Sequence, residues 1–129
     1  DNYIGVTEDP DSIWEKLRPA VTDTARIRRS DPGDPNKCNI YTYHLLVTPD
    51  DQLAEVQKGC TTAGIGCIEC KKMLFDNLMA ELGPIRERRE KLAADPDYVH
   101  GVLEEGAKKC RETAVKTIAE VRGLMGLEG

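Results

Sequence analysis

Gly66-Cys67-Ile68-Glu69-Cys70-Lys71-Lys72 opens a segment in which Leu74, Leu78, Leu82, Ile85 and Leu92 recur on one face. That spacing predicts a helix from about Gly66 to Ala93, with Gly83-Pro84 kinking or interrupting it. A Cys-x-x-Cys at a helix start points two sulfurs the same way, about one turn apart. The first-turn N–H groups lack intrahelical acceptors and favour negative charge, so thiolates are favoured there.

Working outward, Cys38 precedes Cys60 by 21 intervening residues, Cys60 precedes Cys67 by 6, and Cys67 precedes Cys70 by 2. Three readings of this set stay open on spacing alone. Four thiolates suit a [4Fe–4S] cluster, although the spacing differs from the usual ferredoxin runs. Zinc also accepts four thiolates, but its structural sites usually pair two short knuckles and only one Cys-x-x-Cys is present. Cysteine is also among the most often buried residues, so all four could be core. Cys110 lies on a small-residue stripe with Gly106, Ala107 and Ala114 and reads as a core residue. His44 and His100 are isolated and read as surface or hydrogen-bonded structural residues rather than ligands.

The remaining pattern is helical. Asp9-Pro10-Asp11-Ser12 is a helix start, followed by Ile13, Trp14 and Leu17 on one face and a stop at Arg18-Pro19. Ala20 to Arg29 is ambiguous, and Ser30 to Asn36 is a turn-rich loop with two prolines and a glycine. Ile40 to Val47 leans to strand by propensity, but its setting among helices favours helix. Thr48-Pro49-Asp50-Asp51 caps a further helix with Leu53 and Val56 inward, ended by Lys58-Gly59. The last helix is capped by Asp95-Pro96-Asp97 and runs to about Gly123, with Val99, Val102, Leu103, Cys110, Ile118 and Val121 on one face. The expectation is an all-α helical bundle with short loops and two long C-terminal helices, residues 1–129 forming one domain.

At 129 residues, with 40% apolar and 32% charged content, the chain reads as a folded single domain. No apolar run approaches the ~18 residues of a membrane span. Five cysteines without a visible signal sequence point to a reducing, cytoplasmic compartment. The net charge of −5 argues mildly against nucleic-acid binding, but basic residues cluster locally at Arg26-Ile27-Arg28-Arg29, Lys71-Lys72 and Arg86 to Lys91. No phosphate-binding glycine loop, Ser/His/Asp set or metallohydrolase helix is discernible. The start at Asp1 without Met reads as a piece of a longer protein.

Several blocks resemble, in order, the region after the catalytic domain of bacterial tryptophanyl-tRNA synthetases, a class I family. They are Ala20-Val21-Thr22-Asp23, Arg29 to Pro35, Cys38-Asn39-Ile40-Tyr41, Gly66 to Lys72, Pro84 to Arg89, Gly106 to Lys109, and Thr117 to Leu127. The resemblance implies an anticodon-binding helical domain, with residues 1–30 a connector from a catalytic domain outside this chain. The family activates tryptophan with ATP and transfers it to tRNA, usually as a homodimer in the cytoplasm. Its HIGH-like and KMSKS-like ATP signatures have no match here, so this region alone is expected to be inactive. Some bacterial members carry four cysteines at nearly this spacing that bind a [4Fe–4S] cluster. Carried over, the ligands are Cys38, Cys60, Cys67 and Cys70, with the first gap one residue shorter here.

The implied function is tRNA anticodon-loop recognition, with basic side chains gripping phosphates and the cluster acting as a structural clamp. The expected contacts are Arg26, Arg28 and Arg29, then Lys71 and Lys72, then Arg86, Arg88 and Arg89. Lys71 and Lys72 are favoured because they adjoin the cysteines, whereas Glu87 and Glu90 make the third group equally a salt-bridged helix face. The rival reading is a stand-alone helical iron–sulfur or zinc regulatory module that binds a protein partner.

Overall fold

The computed structural model describes residues 3–127. All regular structure among them is helical: α1 Pro10–Leu17, a 3-10 turn Pro35–Lys37, α2 Asn39–Val47, α3 Asp50–Thr61, α4 Cys67–Ala93 and α5 Pro96–Leu124. The backbone forms two compact units, residues 1–87 and 88–129, whose boundary falls within α4.

The first unit is built on one apolar cluster. Ile13 and Leu17 of α1, Ile40 of α2, and Leu74 and Leu78 of α4 are its buried members. Trp14 and Phe75 meet edge to face with ring centroids 5.6 Å apart, and Cys38 and Cys70 lie at the cluster's margin. Residues 10–17, expected inside a connector, thus supply part of the core. Helix α1 starts where the Asp9 carboxylate accepts from the Ser12 N–H at 2.9 Å, with Pro10 in the first helical position.

Tertiary context decides the ambiguous Ile40–Val47 segment in favour of helix, because α2 buries Ile40 and His44. Helix α3 buries Val56 and continues to Thr61, two residues past the expected stop at Gly59. Of the kink or interruption expected at Gly83-Pro84, interruption is not seen, since α4 runs through Pro84. The missing N–H removes one ladder bond, yet the flanking turns carry the helix onward.

The expected short loops are corrected at one place, since residues 18–34 contain no helix or strand. Polar side chains hold this segment. The buried Asp23 carboxylate accepts from the Asp34 N–H at 2.9 Å and the Ala25 N–H at 3.0 Å. Those two donors lower its pKa from the usual carboxylate value.

In the second unit α5 begins where Asp95 accepts from the Tyr98 N–H at 3.0 Å. The helix by itself buries none of its residues. Val102, Leu103, Ile118 and Val121 are exposed, and so is Cys110, which corrects the core role expected of that cysteine.

Candidate metal centre

Each of the four N-proximal cysteines occupies an element boundary. Cys38 is the residue before α2, and its N–H donates to the Pro35 carbonyl at 3.2 Å. Cys60 is in the last turn of α3. Its carbonyl accepts from Gly33 N–H at 3.0 Å and from Ala63 N–H at 3.3 Å. Cys67 and Cys70 are in the first turn of α4. That turn is closed by Glu69, whose carboxylate accepts from the Gly66 N–H at 2.6 Å, the return half of a capping box.

The 3-10 turn touches both α2 and α3, which draws Cys38 towards Cys60. All four thiols are partly exposed and free of disulfides. Burial pushes the Cys70 thiol up to about 12, and the sulfurs of Cys38, Cys60 and Cys67 push it the same way. Burial likewise raises Cys60, where Arg26 opposes the effect and Cys38 and Cys67 reinforce it. Cys60 and Cys70 both feel the charge of Cys38 and Cys67, which a cationic occupant would offset.

Two features fit such an occupant. A Cβ on Gly33 would stand 2.7 Å from Cys60 Sγ, so only glycine leaves that sulfur its place. Thr22 Oγ1 lies 3.8 Å from Cys67 Sγ, within reach of a hydroxyl-to-sulfur hydrogen bond. Among the described residues no three or more His, Cys, Asp and Glu side chains are arranged to hold a single metal ion. A zinc tetrathiolate needs Zn–S bonds of about 2.3 Å, hence sulfurs about 3.8 Å apart.

The basic residues divide sharply. Arg26 donates to the carbonyls of Ile65 at 2.7 Å and Arg29 at 2.9 Å. Arg29 donates to Ala63 O at 2.7 Å and Gly64 O at 3.1 Å, and pairs with Glu69 at 3.2 Å. Both arginines thus fasten residues 26–29 to the turn between α3 and α4, where Ala63 takes a left-handed φ of 57°. The Arg28 side chain is exposed, and its guanidinium makes no hydrogen bond or ion pair among the described residues. It borders a shallow cleft of about 460 Å³ whose other lining includes Ile27, Cys67 and Ile68.

Lys71 was expected on the RNA-facing surface, and its burial corrects that expectation. Only 4% exposed, its ammonium donates to Arg18 O at 2.7 Å and Ala20 O at 2.6 Å. Burial lowers its pKa, while the nearby sulfurs of Cys67, Cys38 and Cys70 push the other way. Lys71 ties the end of α1 to α4. Lys71→Met is expected to cost about 1–3 kcal/mol in urea denaturation, because two carbonyls lose a charged donor.

Lys72, by contrast, is exposed; it pairs with Asp76 at 2.8 Å and lies 4.7 Å from the Phe75 ring centre. Arg86 donates to Glu8 O at 3.1 Å and so braces the N-terminal loop. Arg88 and Arg89 fall in the second unit and are exposed.

His44, expected to be a surface or hydrogen-bonded structural residue, is the second of these. It is fully buried, with Nδ1 2.8 Å from Thr48 Oγ1 and Nε2 3.4 Å from Cys70 Sγ. Burial lowers its pKa, which keeps the ring neutral. The spacing of His44 and Thr48, one helical turn apart, was the available signal.

No family model matches the chain. The fold is that of the helical part of an aminoacyl-tRNA synthetase. Over 97% of its length the chain superposes on 39% of Campylobacter jejuni tryptophanyl-tRNA synthetase, a structure complexed with ADP and tryptophan, at a TM-score of 0.87 and 24% identity.

In sequence, the chain is homologous along nearly its full length to tryptophan–tRNA ligases. It is 50% identical over 125 residues to the Deinococcus radiodurans enzyme, covering 97% of this chain and 38% of that one. With the Thermotoga maritima enzyme it shares 42% over 127 residues, covering 98% and 39%. The chain therefore spans less than half the length of these relatives.

Proposed function

We propose that this chain is the anticodon-binding region of a cytoplasmic tryptophan–tRNA ligase, with a [4Fe–4S] cluster held by Cys38, Cys60, Cys67 and Cys70. The observation that carries the enzyme reading is the 50% identity over 125 residues to a tryptophan–tRNA ligase. ATP-dependent charging of tRNA, the ATP site and homodimer formation belong to the parent protein, outside this chain. Support for the cluster comes from the placement of the four cysteines at the start of α2, the last turn of α3 and the first turn of α4, and from the space Gly33 leaves beside Cys60. When bound, the cluster supplies a covalent cross-link among the start of α2, the end of α3 and the start of α4.

The chain's own residues do the recognition. Arg26 and Arg29 spend their guanidinium groups on carbonyls and hold the loop in place. That leaves Arg28 free at the cleft beside Cys67, where Ile27 is 87% exposed and Ile68 is 54% exposed. A cation next to apolar surface suits an unpaired nucleotide, with the charge meeting phosphate and the flat apolar walls meeting a base. Lys72 adds a second exposed cation on α4.

Arg28→Ala in the full-length enzyme is expected to weaken tRNA binding and to reduce the salt slope of that binding by about one. Tryptophan activation by ATP should be unchanged. Unaltered binding at every salt concentration would remove Arg28 from the RNA surface.

A further inference from the structure

His44 stands in the wall of the cysteine site with both ring nitrogens engaged. Nε2 is 3.2 Å from the Cys70 carbonyl oxygen and 3.4 Å from Cys70 Sγ. A carbonyl oxygen can only accept, so the nitrogen facing it carries the ring proton. Nδ1 then offers a lone pair, and the Thr48 hydroxyl, 2.8 Å away, donates to it. Thr48 Oγ1 in turn accepts from Asn77 Nδ2 at 3.2 Å, and the same amide donates to Gln52 Oε1 at 3.1 Å. Every group in this relay has one consistent role. Its residues come from α2 and its cap, α3 and α4, so the imidazole orientation is set by packing and not by the cysteine alone.

The Nε2–H thus faces both the carbonyl and the sulfur of Cys70. When that sulfur is a thiol the carbonyl is the better acceptor; when it is a thiolate the sulfur gains the advantage, because charge strengthens a hydrogen bond. We infer that His44 is a positioning residue of the centre, donating an N–H···S hydrogen bond to ligated Cys70 and raising the reduction potential of the group bound there. A one-electron reduction adds negative charge that spreads onto the thiolate sulfurs, so a donor aimed at one of them stabilises the reduced form more than the oxidised form. The inference rests on the cluster reading above.

The test uses the full-length enzyme purified anaerobically: wild type, His44→Phe, His44→Gln and Thr48→Val. Iron and sulfide are assayed on each, and the midpoint potential is titrated by visible absorption and by the paramagnetic signal of the reduced centre. With iron content equal across the set, His44→Phe should titrate at a lower potential than wild type. His44→Gln, whose amide keeps an N–H donor, should fall between them. Thr48→Val leaves the imidazole in place but removes the hydroxyl that orients it, and should shift the same way by less.

Equal midpoints across fully loaded proteins would overturn the inference while leaving the cluster reading intact. Wild-type enzyme without iron would overturn the cluster reading, and the inference with it. Should the His44 variants fail to fold, Thr48→Val decides alone, an unchanged midpoint counting against the inference.

Discussion

Cys67→Ala in the anaerobically purified chain is expected to lose the broad visible absorption and to drop from about four irons per chain to a small residue of that. The reason is positional. Cys67 and Cys70 share the first turn of α4, while Cys38 precedes α2 and Cys60 lies in the last turn of α3. Removing one sulfur leaves three of the four thiolates that a [4Fe–4S] cluster requires. The same variant should retain its helix content by circular dichroism, because the apolar cluster on Leu74 does not include Cys67. Iron content equal to wild type would show that Cys67 is not a ligand.

Leu74→Ala is the substitution expected to cost most in the fold itself, about 2–5 kcal/mol for a fully buried leucine whose site cannot collapse completely. Leu74 is 0% exposed and shares one buried cluster with the α1 residues Ile13 and Leu17 and the α2 residue Ile40. It also lies one turn beyond Cys70, so its loss loosens the turn that presents two of the sulfurs. Denaturation in urea should show the midpoint fall, with iron release preceding global unfolding. A change below about 1 kcal/mol would mean that α1 and α2 repack around the cavity more fully than a close-packed core allows.

Much of this architecture is legible in the sequence, and the places where it is not are informative. The start of α4 was readable because its two cysteines and its leucine stripe begin at the same place. The start of α5 follows from the cap at Asp95-Pro96. Residues 20–29 were ambiguous because their order comes from distant partners, such as Asp23 with the Asp34 N–H and Arg26 with Ile65 O. Such pairings leave no periodic trace.

Lys71 shows a subtler failure. Adjacency to Cys70 suggested a surface role, yet Lys71, Leu74 and Leu78 fall at i, i+3 and i+7, the spacing of one helix face, and all three are buried. The period was in the sequence, but lysine's charge masked it. Cys110 erred in the other direction, since a stripe of small and apolar residues defines a face without supplying what covers it.

The most direct measurement is elemental and optical: iron, sulfide and zinc per chain, with the visible spectrum, on one anaerobic preparation. The expected result is a brown protein with about four irons, matching sulfide and no zinc. Colourless protein carrying one zinc, or folded protein carrying no metal at all, would contradict it.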